Sequence, residues 1–283
     1  MKTKTQVLRK QLKWADKNDK LILRDAKYNQ YTKKIEDNLF KNYISKEAKF
    51  EFEKADGSEL KDGRYPAKIK ALHSSSALGY NVFEYWRKKD KSLLAKALAI
   101  KSEITKLTLE KKLDTGISTP NIDIFLSLKN GKFVAIESKF CEWMDSKKDK
   151  VFKKRYFLEN GKALTRWKDV DLPNCQLIAN EIQFNDLRFN RLDATQLLKH
   201  ALGIGYKKDI DAQLIYLYYD LDKNSRIGNK HWEELQIFSD KIGDELNFKA
   251  IRYQDLMSEL ENNVTGYDDF EEYRKYIQKR YSI

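Results

Sequence analysis

Cysteine, proline and glycine are all scarce here, at 2, 3 and 11 of 283 residues. Two cysteines, Cys141 and Cys175, are too few for a disulfide framework and lack the CxxC spacing of zinc or redox sites, so both are expected to be buried or inert thiols. So little proline and glycine excludes a long flexible linker, a repeat array or a low-complexity tract. No apolar run approaches the ~20 residues that cross a bilayer, and no charged-apolar-small leader opens the chain. These absences predict a protein of the reducing cytoplasm with no membrane partner. Net acidity is missing too: 55 Lys and Arg against 43 Asp and Glu give a net charge of +12, the footprint expected of a polyanion binder.

The rest of the composition supports a sizeable core, with 41% hydrophobic and 12% aromatic residues. It reads as a single catalytic domain over 1–283, with a helical extension at 1–58, a core at 59–220, and a strand with helices at 221–283. The charge is uneven. Residues 1–34 carry 11 basic and 3 acidic side chains, 145–168 carry 9 and 3, and 240–273 carry 3 and 10. A phosphate backbone suits the basic blocks, and for the first of them a solvated segment explains the charge equally well.

Residues 119–142 carry the most chemistry. Two apolar strands joined by Asn130-Gly131 present Asp123, Glu137 and Lys139. Side chains repeat every second residue on a strand, so Glu137 and Lys139 emerge on one face. A hard cation such as Mg²⁺, with Mn²⁺ as a substitute, would take Asp123, Glu137 and the Ser138 carbonyl and leave room for a substrate phosphate. Lys139 would position or deprotonate the attacking water, its pKa depressed by burial beside a cation. Acid-x-Lys also occurs at Asp25, Glu47, Glu59, Glu110 and Asp145, but only Glu137 ends a run, Phe133-Val134-Ala135-Ile136, that reads as a buried strand. The bland alternative is a Glu137–Lys139 pair on a solvated sheet face.

Register decides whether Asp123 meets Glu137. A two-residue Asn130-Gly131 hairpin pairs Asp123 with Ser138, on the wrong face. A three-residue loop, Lys129-Asn130-Gly131 with left-handed Gly131, pairs Leu128 with Lys132 and Asp123 with Glu137, and sets Ile122, Ile124 and Leu126 beside Val134 and Ile136. Chemistry and apolar pattern both favour the second.

This Asp-x13-Glu-x-Lys pattern resembles the PD-(D/E)xK phosphodiesterase superfamily. Ser74–Phe83, Leu107–Glu110, the Asp123 strand and Ile136–Glu142 are similar to a group of bacterial restriction-endonuclease-like proteins; the likeness covers roughly 59–220. It implies an α/β restriction-endonuclease-like core of a helix, a three-stranded meander, a helix and a further strand, a mixed sheet flanked by helices, here with extra terminal helices. It also implies Glu110, Asp123, Glu137 and Lys139 as the active site, with Asn81 and Glu142 behind them. Pro120 stands three residues before Asp123 instead of next to it, which touches only the strand entry.

Glu110 also follows from pattern: Leu107, Leu109 and Leu113 alternate with Thr108, Glu110 and Lys112 on a first strand beside Asp123. An exposed Glu beside Lys111 and Lys112 is its alternative. Glu84 is the rival fourth acid, unless it pairs with Lys88 one helical turn on. Amphipathic helices are expected over 6–50, a helix over 68–88 after a serine-rich entry, strands near 104–112, 122–128 and 133–140, a helix from Pro173 to Phe184, one from Asp193 to Leu202 closed by Gly203, and strands at 213–219 and 249–253. On the helix after Asp193, Gln196 and His200 share a face, and Gln196 is a candidate for contacting phosphate or water. Ser74–Ser76 fit phosphate binding or capping, and Arg188-Phe189-Asn190-Arg191 suits DNA contacts. Together these predict a Mg²⁺-dependent DNA endonuclease of a restriction or phage-defence system, a two-fold dimer if both strands are cut at one site. The alternatives are an inactive nucleic-acid-binding module and an RNA nuclease.

Overall fold

Gly131 turns the chain between two apolar strands with φ at +83°, a conformation that costs a residue with a Cβ about 1–2 kcal/mol. Leu128 N–H donates to Lys132 carbonyl at 2.9 Å and Gly131 N–H to Leu128 carbonyl at 3.1 Å. This is the three-residue bulged loop, and the strands beyond it pair Ile124 with Ile136 and Leu126 with Val134.

The computed structural model describes residues 3–23, 30–55, 59–146, 151–208, 212–220, 225–264 and 269–281. In chain order these form helices α1 (Thr3–Lys17), α2 (Lys46–Lys54), α3 (Ser75–Phe83) and α4 (Ser92–Ala97) and a meander of β1 (Ile104–Lys112), β2 (Asn121–Leu128) and β3 (Phe133–Lys139). A small hairpin, β4 (Leu158–Glu159) with β5 (Lys162–Ala163), precedes α5 (Pro173–Gln183) and α6 (Ala194–Tyr206). Then come β6 (Gln213–Tyr218), α7 (Arg226–Ile242), β7 (Asn247–Arg252), α8 (Tyr253–Asn263) and α9 (Phe270–Tyr281). The main sheet runs β1-β2-β3-β6-β7. Its first three strands are antiparallel, and β6 and β7 add in parallel. Parallel neighbours need crossovers of a dozen or more residues, which α5, α6 and α7 supply. This is the mixed α/β core that the resemblance implies.

Parity sorts the two faces. Ile122, Ile124, Leu126, Val134 and Ile136 are fully buried on the face covered by α3, and the opposite face carries Asp123, Glu137 and Lys139 beneath α6. Strand β6 is buried along its whole length, as a central strand should be.

Edge strand β1 is blunted by charge. Leu109 N–H donates to Glu51 at 2.9 Å and Arg87 donates to the Leu107 carbonyl at 3.1 Å. Arg87 also pairs with Glu51 and Glu84, each at 2.7 Å. This clip occupies edge groups that would otherwise offer a template for another strand.

Several elements differ from expectation. The helix expected over 68–88 is α only from Ser75 to Phe83, because Ser74 caps it, accepting from Ala77 N–H at 3.2 Å; residues 68–70 and 84–86 are single 3₁₀ turns. Between α1 and α2 the described residues contain 3₁₀ turns and isolated bridges, Ile22 to Thr32 and Tyr31 to Ala71, in place of continuous helix. Gly203 lies inside α6 instead of ending it. A Cβ there would stand 2.9 Å from the Leu113 Cβ, so glycine lets the helix approach the chain leaving β1.

Candidate active site

The register of the sheet sets the carboxylates in a transverse row. Leu109 faces Ile124 and Lys111 faces Ile122, which brackets Glu110 against Asp123. One step past the Ile124–Ile136 pair, the same register brings Asp123 to Glu137, and Glu137 is paired with Tyr216 on β6. Glu110, Asp123, Glu137 and Tyr216 therefore share one row and one face across four strands. Lys139 lies one step along, on the same face as Glu137.

Glu137 is 1% exposed and is held from two sides. Lys139 Nζ donates to its Oε1, and His200 Nε2 stands 2.7 Å from its Oε2. A carboxylate only accepts, so Nε2 carries the proton in that bond. Lys139 Nζ also donates to Gln196 Oε1 at 2.9 Å. Asp123, half-buried, accepts the Ser138 N–H at 2.7 Å. Glu110 is buried with φ at +51°, a left-handed backbone that is strained for a residue with a Cβ.

The charges do not balance within the cluster. Burial pushes the Asp123 carboxyl well up, and Glu137 and Glu110 push it further. Burial, then Glu59 and Glu137, raise Glu110 to about 8. Burial also opposes the ionised form of Glu137, but Lys139 and His200 outweigh it and hold the carboxyl below its ordinary value. For Lys139 burial favours the neutral amine, yet Glu137 and Asp123 together hold the pKa above the ordinary lysine value. In the metal-free chain neighbouring carboxylates raise its proton affinity more than burial lowers it, whereas the depressed Lys139 was expected beside a bound cation.

Three groups near the site were given no role from sequence. His200 bonds Glu137. Tyr216 is fully buried in the carboxylate row, its hydroxyl 3.0 Å from His231 Nε2. Glu59 is 8% exposed, acts electrostatically on Glu110, and has a buried Oε2 without a hydrogen-bond partner among the described residues. One of only 3 histidines, one turn after Gln196, was a usable signal; nothing local marks Glu59.

Other candidates lie elsewhere or do other work. Glu84 pairs with Arg87 in the clip on β1 and not with Lys88, which meets Glu47 at 3.3 Å. Asn81 bonds the Tyr281 hydroxyl, the Asn38 carbonyl and Phe40 N–H, tying the termini to α3. Glu142 accepts from Phe140 N–H and contributes only its charge to Lys139. The carboxylate of Glu234 accepts from the N–H groups of Asn190, Arg191 and Leu192, and Arg191 donates to the Met144 carbonyl, so that segment is largely a structural clasp. Lys147, Lys148 and Lys150 lie outside the described residues, and Lys153, Lys154 and Arg155 are exposed. Both cysteines are free and buried, and burial pushes both thiols up. No described helix is long and apolar enough to cross a membrane.

A family model described as restriction endonuclease associating with ARP matches residues 6–282. The chain belongs to that family. Membership in a restriction endonuclease family places the protein among nucleases of restriction systems, consistent with the acid-acid-lysine row. No curated protein and no solved structure matches the chain significantly.

The residues present fit a hard divalent cation. Their donors are oxygens, and the raised Asp123 and Glu110 carboxyls mark a place where a cation would favour their ionised forms. Among the described residues no three His, Cys, Asp or Glu side chains close into a ready-made cage. Mg²⁺ takes one or two carboxylates and fills its shell with carbonyl oxygen and water, which Asp123, Glu137 and the Ser138 carbonyl would provide.

Proposed function

We propose that this protein is a Mg²⁺-dependent DNA endonuclease of a restriction or phage-defence system. The observation that carries the reading is the row of Glu110, Asp123 and Glu137 on three adjacent strands, with Lys139 on the same face. Such a set has little structural purpose, since burying like charges side by side costs free energy without a cation. Bound there, Mg²⁺ would supply an activated water and charge neutralisation at the phosphodiester.

The chain's own residues have distinct parts in this proposal. Asp123 and Glu137 would hold the metal, and the Ser138 N–H keeps Asp123 turned toward Glu137. His200, on α6, orients Glu137. Lys139, which donates to Glu137 and Gln196, would position the attacking water and neutralise the developing phosphorane. Gln196 holds the Lys139 ammonium in place, and Glu110 completes the water shell. Cutting both strands at one site would call for a two-fold dimer. The family description names an association with ARP, and a protein partner of that kind belongs to the proposal.

Incubating the purified protein with plasmid, single-stranded DNA and RNA, in Mg²⁺ or EDTA, tests the reading. Cleavage of plasmid in Mg²⁺ only is expected; RNA cleavage alone would redirect it to an RNA nuclease, and binding without cleavage to a non-catalytic module. Calorimetric titration with Mn²⁺ should find binding lost in Asp123→Ala and Glu137→Ala. Lys139→Ala should keep metal and DNA affinity while turnover falls by about 10²-fold or more, because its work is confined to the attacking water and transition state. Undiminished Mn²⁺ binding in both acid variants would reject the metal assignment.

A further inference from the structure

Away from the carboxylate row, helices α1 and α9 enclose a groove of about 480 Å³. Lys10, Lys13, Lys17 and Lys279 stand around it, Trp14 and Arg280 form its floor, and among the described residues no carboxylate lines it. On α1 the three lysines are spaced i, i+3 and i+7, which places them on one face. All four are exposed, and among the described residues none has a carboxylate within ion-pair distance.

The floor strengthens the argument. Arg280 is 1% exposed, and a buried guanidinium is ordinarily neutralised by a carboxylate. Here its donors go instead to the Asn38 carbonyl and side-chain oxygen and the Tyr276 hydroxyl, with the Trp14 ring 4.3 Å away. With Gln11 as a further acceptor, the hydrogen bonds of the guanidinium go to neutral oxygens. The groove thus presents five cationic residues with no fixed counter-charge in its lining, which favours a polyanion.

We infer that this groove binds the phosphate backbone of the DNA outside the cleavage site. The choice of DNA rests on the nuclease reading and on position. Lys4, near the start of α1, pairs with Asp145, six residues beyond Lys139, so the start of α1 lies close to the segment that follows β3. At ~1.5 Å per residue, Lys10 to Lys17 lie roughly 9–20 Å along the helix from Lys4. A duplex reaching the carboxylate row from that side would continue along α1. Exposed lysines without bidentate geometry carry no base information, so the groove adds affinity and leaves sequence choice to other contacts.

The test replaces Lys10, Lys13, Lys17 and Lys279 with Gln in the full chain and, as a control, with Arg. Binding of a labelled duplex is followed by fluorescence anisotropy over a range of salt, with cleavage and Mn²⁺ titration alongside. The Gln variant should bind at least about tenfold more weakly at moderate salt, with a salt slope lower by roughly 2–4, since each lost phosphate contact removes about 0.9 from it. Mn²⁺ binding should be unchanged, and the Arg variant should behave as the parent. Unaltered affinity and slope in the Gln variant overturn the inference. So does lysine-dependent binding of phosphatidylserine vesicles with duplex binding unaffected, which would make the groove a membrane contact. A parent protein that binds duplex through these lysines but cuts nothing in Mg²⁺ would sink the nuclease reading and leave the groove standing.

Discussion

At the residue scale, the charge around Lys139 decides what that side chain is able to do. An ammonium donating to Glu137 and Gln196 keeps its proton in the metal-free chain, and in the proposed reaction its contribution would be positioning and charge. Glu110 is the opposite case, a carboxyl pushed up to about 8 by burial, with Glu59 and Glu137 adding to it. Because the folded chain holds this proton more tightly than the unfolded one, metal-free protein should lose stability as pH rises from the ordinary value of 4.5 to about 8, and level off above. Urea unfolding in EDTA from about pH 5 to about pH 9 should show that decline, and Glu110→Gln should make it shallower, leaving the part due to the raised Asp123. An equal slope in the variant would place the shifted carboxyl elsewhere. Glu137, Lys139 and Glu110 were legible because strand alternation and an apolar run are local. His200 and Tyr216 reach the site from residues 60 or more positions away in sequence, and Glu59 arrives from a segment with no periodicity to place it.

At the scale of elements, turn chemistry sets the geometry of the site. Gly131→Ala has open space for its Cβ, so its cost is conformational, about 1–2 kcal/mol from the positive φ; Gly131→Asn should lose less, because Asn tolerates that region. Denaturant midpoints measure both. Gly203→Ala tests a different constraint. Alanine favours a helix by about 1 kcal/mol, but the new Cβ meets Leu113 at 2.9 Å, and overpacking of that kind costs about 1–3 kcal/mol. The variant should melt lower, and cleavage should fall more than stability accounts for, since α6 carries Gln196 and His200. A raised melting temperature with full activity would show that the helix shifts without consequence. Strand extents and the bulged register were readable from alternation and Asn-Gly. The start of α3 and the continuation of α6 past Gly203 were not, because a capping serine outweighed the apolar stripe in one and close packing selected the glycine in the other.

At the scale of the whole molecule, the C-terminal helix closes the core. Helix α9 buries Phe270, Tyr273, Ile277 and Tyr281, worth roughly 6–12 kcal/mol at about 1.5–3 kcal/mol each. That is comparable with the entire net stability of a typical domain, about 5–15 kcal/mol. Deleting 270–283 should therefore abolish cooperative unfolding by circular dichroism, and a sharp transition near that of the full chain would contradict it. By itself the sequence determined the mixed α/β class, the three-stranded meander, the parity that puts Asp123, Glu137 and Lys139 on one face, and the excess of positive charge. The meander, the parity and the charge follow from short-range periodicity or simple counting, and the mixed α/β class from the resemblance that the motif carries. Only the tertiary structure decided that Lys139 meets Glu137 and Gln196, that Glu84 clips the sheet edge while Glu110 joins the carboxylate row, and that α1 and α9 together form a basic groove. Those outcomes depend on distances between residues far apart in the chain, and electrostatic energies change with such distances far more steeply than any pattern along a sequence records.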